Sequence, residues 1–204
     1  MPKLNEIKLI LLSAIAVVFI ISTIVLSIKL KIERRKSQKK IKILEKQLKY
    51  DYLTGTLSRK AFIEEVESAL AEYEEGTFLI FDLNGMRSVN DMFGHLAGDN
   101  LLKRYSAKLT KAFDKNIVGR LGGDEFLVFI PQKKSSDEIY EILKKHNIAR
   151  FSDKPTQLVI TACCGAAYAP KNGKNFDDLY SNADKALYYS KTNDKTVSFC
   201  KDSD

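Results

Sequence analysis

Cysteine is scarce in this chain. There are three in 204 residues, two adjacent at Cys163 and Cys164 inside an apolar run and a third at Cys200. That spacing excludes a disulfide framework and a paired-cysteine metal site, and leaves small buried hydrophobes in a reducing compartment. Internal repeats and low-complexity segments are also missing. The most informative absence is of charge: residues 9–28, LILLSAIAVVFIISTIVLSI, carry none. As a helix that run reaches roughly 30 Å, about the hydrocarbon thickness of a bilayer. It is long for a cleaved leader, has no clear small-x-small cleavage site, and lacks the polar face of a core helix. It reads as a transmembrane helix.

The formal net charge is +7, which taken alone points to nucleic acid. Its distribution argues against such a partner. Residues 29–49 carry a net +8 and residues 1–28 a net +1, leaving −2 for residues 50–204. The basic block adjoins the apolar run. By the positive-inside rule this places residues 29–204 in the cytoplasm, with the block drawn to anionic headgroups. The expected arrangement is a single-pass inner- or plasma-membrane protein with residues 1–8 outside and no external sensor domain. Residues 29–50 have neither Gly nor Pro and read as a basic linker helix. Ile41, Leu44 and Leu48 recur at helical spacing, which leaves open a short coiled-coil seam between two copies or a solvated spacer. The expected division is 1–28, 29–50 and 51–204.

Beyond residue 50 the pattern alternates. A helix is expected over 59–73, capped by Ser58 and ended by Gly76. TFLIFDL (77–83) is apolar almost throughout, as in a strand buried on both faces. A Gly- and Asn-rich loop follows, then a helix over 97–113, a hairpin of 117–121 and 126–130, and a helix over 136–147. A strand at 158–168, a helix at 176–192 and a strand at 196–200 complete the series. The fold class expected is α+β, with a mixed, antiparallel-rich sheet covered by helices.

The chemistry concentrates at the hairpin tip, RLGGDEFLVFI. Asp124 and Glu125 stand side by side after two glycines, and Asp82 ends the strand expected beside them. Three carboxylates at one sheet edge repel one another, and a divalent cation relieves that repulsion. Hard oxygen donors of this kind suit Mg²⁺, or Mn²⁺, together with water and phosphate oxygens. Glycines let backbone approach a phosphate, so the combination points to metal-assisted phosphoryl or nucleotidyl transfer. Asn90 and Asp99 offer an amide and a carboxylate, the pair needed to read a guanine edge. Lys191 and Lys195, four residues apart, are candidate phosphate contacts.

These motifs resemble, in order and spacing, those of the GGDEF domain, the diguanylate cyclase family. RLGGDEF resembles its signature and DYLTGTLSR its opening. FDLNGMRSVNDMFGHLAGD, ITACCGAAY and NADKALYYSK resemble three further blocks. The resemblance covers about 51–200 and implies a palm-like fold that joins two GTP into cyclic di-GMP and two pyrophosphates across a homodimer of catalytic domains. It implies metal ligation by Asp82, the Leu83 carbonyl and Asp124, and catalysis by Asp124, Glu125 and Arg87. Substrate contacts by Asn90, His95, Asp99, Lys191 and Lys195 are also implied. The chain departs from the pattern at five places. Asn84 replaces a second Asp, Met86 replaces an aromatic, Arg87 replaces a Lys, and KTNDK lacks the usual Gly-Arg-Asn. Phe113 and Asn116 stand where an R-x-x-D product-inhibition motif would lie, so feedback through that site is not expected.

Overall fold

A computed structural model describes residues 2–153 and 156–200. The chain divides into two compact units, Met1–Gln47 and Leu48–Asp204. In the first, the expected transmembrane and linker helices are parts of one helix, α1 (Pro2–Lys49). Nothing in residues 29–50 breaks a helix, so none is broken there. α1 contains a stretch, Ala14–Ile41, long and apolar enough to cross a membrane.

The second unit runs β1 (Leu57–Ser58), α2 (Arg59–Glu72), β2 (Gly76–Leu83), α3 (Met86–Phe93), α4 (His95–Ala112), β3 (Ile117–Gly122), β4 (Glu125–Ile130), α5 (Ser136–His146), β5 (Ile148–Asp153), β6 (Thr156–Ala169), α6 (Phe176–Thr192) and β7 (Val197–Phe199). The strands form one seven-stranded sheet in the order β1-β3-β4-β2-β6-β5, with β7 also paired to β6. The pairs β2–β4, β2–β6, β3–β4 and β5–β6 are antiparallel, while β1–β3 and β6–β7 are parallel. This is the mixed, helix-covered α+β architecture expected.

Three points correct the sequence reading. The Gly- and Asn-rich stretch after β2 is helical. Only Asn84 and Gly85 turn, and α3 follows at once. Met86, Val89 and Phe93 recur on one face, which packs into the core. Gly85 and Gly94 have φ of 79° and 80°, so they bound α3 rather than dissolve it. The segment read as the single strand 158–168 is also longer. β6 starts at Thr156, and its first half pairs with β5, a strand that the weak alternation of IARFSD does not signal. Helix α2 ends at Glu72 with Tyr73 as its C-cap, and Gly76 instead opens β2, where the Phe129 ring occupies the space a Cβ would need.

Alternation along the central strands divides the core in two. Leu79 and Phe81 of β2 and Phe126 and Val128 of β4 pack with Leu101, Tyr105 and Leu109 of α4. Phe78 and Ile80, with Leu127 and Phe129, pack with Phe62 and Val66 of α2 and Leu179, Ala183 and Leu187 of α6. In that second layer the rings of Phe62, Phe78 and Phe176 meet edge to face, with centroids 5.7–6.3 Å apart. Burial of each such ring contributes about 1.5–3 kcal/mol.

α6 lies unusually close to β6. A Cβ at Gly165 would run into the α6 backbone at Ala183 and Leu187. Ser190 Oγ donates to the Cys164 carbonyl at 2.7 Å, which pins the end of the helix to the same strand. The contact fixes the height of α6 over the sheet. Gly165→Ala is expected to lower unfolding free energy by about 1–3 kcal/mol through overpacking. Urea unfolding checks this, with Gly55→Ala as the comparison, since a Cβ there meets nothing and only its positive φ of 72° resists the change.

Candidate active site

The β2–β4 register sets Asp82 opposite Glu125. Phe78, Ile80, Leu127 and Phe129 face α2 and α6, so by the two-residue period Asp82 and Glu125 turn to that side as well. Asp124 lies in the turn between β3 and β4. Its carbonyl accepts the Leu83 amide at 3.2 Å, which ties the turn to the end of β2. From α6, Lys191 Nζ approaches Asp82 Oδ2 to 2.7 Å. Burial, then the charges of Asp82, Asp124 and Asp184, push the Glu125 carboxyl above its ordinary value, and Lys191 offsets part of this.

The turn itself is backbone-specific. Gly122 and Gly123 have φ of 152° and 52°, and neither has a neighbour that a Cβ would meet. Glycine is required there for conformation, and it leaves bare backbone at the tip. One side chain holds the turn: Arg120 donates to the Gly123 carbonyl through Nε at 3.1 Å and Nη2 at 2.6 Å. Its Nη1 reaches Asp51 Oδ1 at 3.1 Å. Asp51 also accepts from the Thr54 amide at 2.9 Å and the Thr54 hydroxyl at 2.6 Å. Burial alone would raise the Asp51 pKa, but the hydrogen bonds from Thr54 and Arg120 outweigh it and hold the carboxyl below its ordinary value. Neither Asp51 nor Arg120 stood out as a site residue in the sequence. The available signal was an arginine just before paired glycines and an aspartate opening the turn after the linker.

Further along, α3 and α4 leave the same end of β2. Asn90 and Asp99 are half-buried on these packed helices, and the Asn90 carboxamide oxygen occupies the space a Cβ on Gly98 would need. His95, the first residue of α4, is exposed. The Arg87 side chain is 96% exposed, with Asp91 at 3.9 Å. Lys195 lies over the Tyr189 ring, 4.9 Å from its centroid. The structure thus gathers Asp82, Leu83, Asp124, Glu125 and Lys191 at one edge and sets Asn90 near Asp99. It turns Arg87 to solvent and lays Lys195 over the Tyr189 ring.

Among the described residues no three His, Cys, Asp or Glu side chains converge as a metal cage. The expected donor set has only two carboxylates and a carbonyl, so it fits a hard cation that brings water and phosphate oxygens with it. The Asp82 carboxylate already holds a cationic group, the Lys191 ammonium, which shows the site's preference for positive charge.

The family model for the diguanylate cyclase GGDEF domain matches residues 48–196. The chain belongs to the GGDEF family. It is 30% identical over 152 residues to the probable diguanylate cyclase DgcF of Escherichia coli (strain K12), covering 70% of this chain and 48% of that protein. It is also 30% identical over 157 residues to the cyclic di-GMP phosphodiesterase NbdA of Pseudomonas aeruginosa, covering 72% of this chain and 20% of that one. The chain therefore spans less than half the length of these relatives. Among solved structures, the coiled coil and GGDEF domain of DgcB from Caulobacter crescentus, in complex with c-di-GMP, superposes with a TM-score of 0.71 at 23% identity, over 82% of this chain and 93% of that one. The GGDEF domain of TpbB (YfiN) from Pseudomonas aeruginosa gives 0.68 at 25%, over 74% and 94%.

Two of the departures from the GGDEF pattern fit their surroundings. Asn84 is turned onto β6: its amide donates to the Thr161 carbonyl at 2.8 Å and its Nδ2 to Thr161 Oγ1 at 3.2 Å. Cys163 Sγ lies 3.5 Å from its carboxamide. Phe113 is buried against Phe81, with ring centroids 6.1 Å apart, where a charged arginine would be costly.

Two opposite pH dependences follow. Asp51 contributes stability above its ordinary value of 3.8, and this is lost as the pH falls through the lower folded-state value. Asp51→Asn is expected to lose about 1–3 kcal/mol at pH 7 in urea unfolding, with the deficit shrinking towards pH 2. Glu125 behaves in reverse: the stability present below 4.5 is lost as the pH rises through the higher folded-state value. Glu125→Gln is expected to raise the melting temperature at pH 7 and leave it unchanged at pH 3.5, as read by scanning calorimetry.

Proposed function

We propose that the chain is a diguanylate cyclase, converting two GTP to cyclic di-GMP and two pyrophosphates. The observation that carries this reading is the carboxylate edge, where the β2–β4 register sets Glu125 opposite Asp82 and the Asp124 turn is tied to the end of β2. A divalent cation, magnesium or manganese, held by Asp82, the Leu83 carbonyl and Asp124, would neutralise phosphate charge and polarise the α-phosphorus. Lys191 then exchanges Asp82 for the triphosphate. α3 begins at Gly85 with no side-chain cap, so its first amides face the same phosphates. Asn90 and Asp99 read the guanine edge, with His95 beside them.

The 3′-oxygen of one nucleotide attacks the α-phosphorus of the other. The O3′–P bond forms as the bond to the bridging pyrophosphate oxygen breaks, and the hydroxyl proton passes to Glu125. Each domain holds one nucleotide, so turnover requires two copies face to face. α1 anchors the chain in the membrane and restricts their encounter to two dimensions, and residues 29–50 set the pairing distance.

A second reading, a GTP-binding domain without turnover, draws on the exposure of Arg87, the residue that stands where the family has a transition-state lysine. One assay separates the two. The full chain in lipid nanodiscs is incubated with GTP and Mg²⁺, and product is read by mass spectrometry. Cyclic di-GMP is expected, reduced about 100-fold or more in Asp124→Ala and Glu125→Gln, with KM for GTP raised in Lys191→Ala. GTP binding without product, in nanodiscs that hold two copies, overturns the cyclase reading.

A further inference from the structure

Arg87 is the second residue of α3, the helix that follows β2 after Asn84 and Gly85. Met86, Val89 and Phe93 of that helix pack into the core. At 100° per residue this turns Arg87, Ser88, Asp91 and Met92 outward. All four are exposed. Among the described residues the Arg87 guanidinium, 96% exposed, pairs with Asp91 alone, at 3.9 Å. An ion pair so long and so solvated contributes little. Lys191 is its opposite. It reaches inward from α6 to Asp82 at 2.7 Å and is 40% exposed. Each copy therefore has one cation turned into its own carboxylate edge and another turned to solvent.

The surface beside Arg87 is partly apolar. Met92 lies on the same outer face of α3 and is exposed. Leu96, in the first turn of α4, is 80% exposed, the most of any large aliphatic side chain described in the Leu48–Asp204 unit. Arginine and methionine on one exposed apolar surface have the composition of a contact surface. The same elbow carries Asn90, His95 and Asp99, the residues proposed to read guanine. Under the cyclase reading, on which this inference rests, two copies meet with their nucleotides facing. A copy that approaches the nucleotide therefore approaches the elbow, and it brings the negative charge of its own triphosphate.

We propose that Arg87 acts in trans: the α3–α4 elbow seats a second copy of this chain on Met92 and Leu96, and each Arg87 guanidinium contacts the triphosphate held by the partner copy. As the 3′-oxygen attacks, the O3′–P bond forms and the bond from phosphorus to the bridging oxygen breaks. Its electron pair leaves with pyrophosphate, and the hydroxyl proton passes to Glu125. Negative charge grows on the bridging oxygen, and a guanidinium brought to it by the partner stabilises that charge. Chemistry then waits for the second copy, because the stabilising cation arrives with it.

The test places the same two substitutions in different arrangements. Nanodiscs that hold two copies are isolated through a separate tag on each copy. In the first arrangement one copy carries Arg87→Ala and the other Asp124→Ala. In the second, one copy carries both substitutions and the other is native. GTP and Mg²⁺ are added, and products are read by mass spectrometry. With one Asp124 missing, a single α-phosphorus reacts, so the product is the linear dinucleotide pppGpG. Only the first arrangement sets an intact Arg87 across from an intact Asp124. It is expected to give at least about tenfold more pppGpG than the second. In discs holding one copy, Arg87→Ala is expected to bind GTP within about twofold of native by calorimetry, whereas Lys191→Ala binds about tenfold more weakly or worse. Leu96→Asp is expected to lower cyclic di-GMP formation about tenfold in two-copy discs, with its one-copy GTP affinity unchanged. The proposal is overturned by as much pppGpG from the second arrangement as from the first, or by none from either while the native chain makes cyclic di-GMP. Arg87→Ala binding GTP as weakly as Lys191→Ala, or full turnover in Leu96→Asp, overturns it too. A native chain that binds GTP and makes no product defeats the cyclase reading itself, so the two failures are distinct.

Discussion

Electrostatic repulsion among Asp82, Asp124 and Glu125 is the constraint around which this domain is organised. Left to itself, a chain would separate three carboxylates. Here the pairing of β2 with β4 and the turn beside them bring all three to one sheet edge. Asp82 and Glu125 are opposed by a register that six consecutive residue pairs of β2 and β4 enforce. Slipping that register by one residue would turn every core phenylalanine of both strands to the wrong face. The repulsion, worth at most a few kcal/mol at a partly solvated edge, is overruled by a core that contributes about 1.5–3 kcal/mol for each buried ring. Burial first, and then the repulsion that remains, hold the Glu125 carboxyl above its ordinary value.

The same logic explains the supports on either side. The turn that carries Asp124 has two glycines and no packing of its own, so it is held from outside by the Arg120 guanidinium, itself neutralised by Asp51. On the other side, α6 supplies Lys191, and Gly165 determines how close that helix comes. A larger residue on β6 would lift α6 and weaken the contact of Lys191 with Asp82. A glycine beneath a helix and an arginine behind a turn serve one end, the geometry of a cluster that neither touches.

Much of this was legible in the sequence where a pattern carries its own period. The apolar run of β2, the hairpin around the paired glycines, and α6 with its Ala183 and Leu187 stripe announce themselves. So do the carboxylates, because Asp82 interrupts an apolar strand and Asp124–Glu125 interrupts a hairpin. Illegible features were those set by tertiary contact. Gly94 and Gly98 made the segment after β2 look like loop, yet one glycine bounds two helices and the other admits the Asn90 side chain. The strand β5 exists through pairing with β6 more than through any alternation of its own. Arg120 and Asp51 are 69 residues apart, and only the fold shows that they share a task.

Asn84 shows how composition at the edge and geometry answer each other. A carboxylate at that position would add a fourth negative charge beside a cluster that Lys191 already fails to neutralise fully. The carboxamide is neutral, and unlike a carboxylate it can donate, so it bonds to Thr161 and draws the β2–α3 turn onto β6. The exchange has two consequences that pull in opposite directions. The edge is less repulsive without a cation, because one charge is missing. A cation held there, as proposed, would have one fewer anionic ligand available, so more of its coordination would have to come from phosphate and water. Its hold on the site would then depend more heavily on the nucleotide that accompanies it.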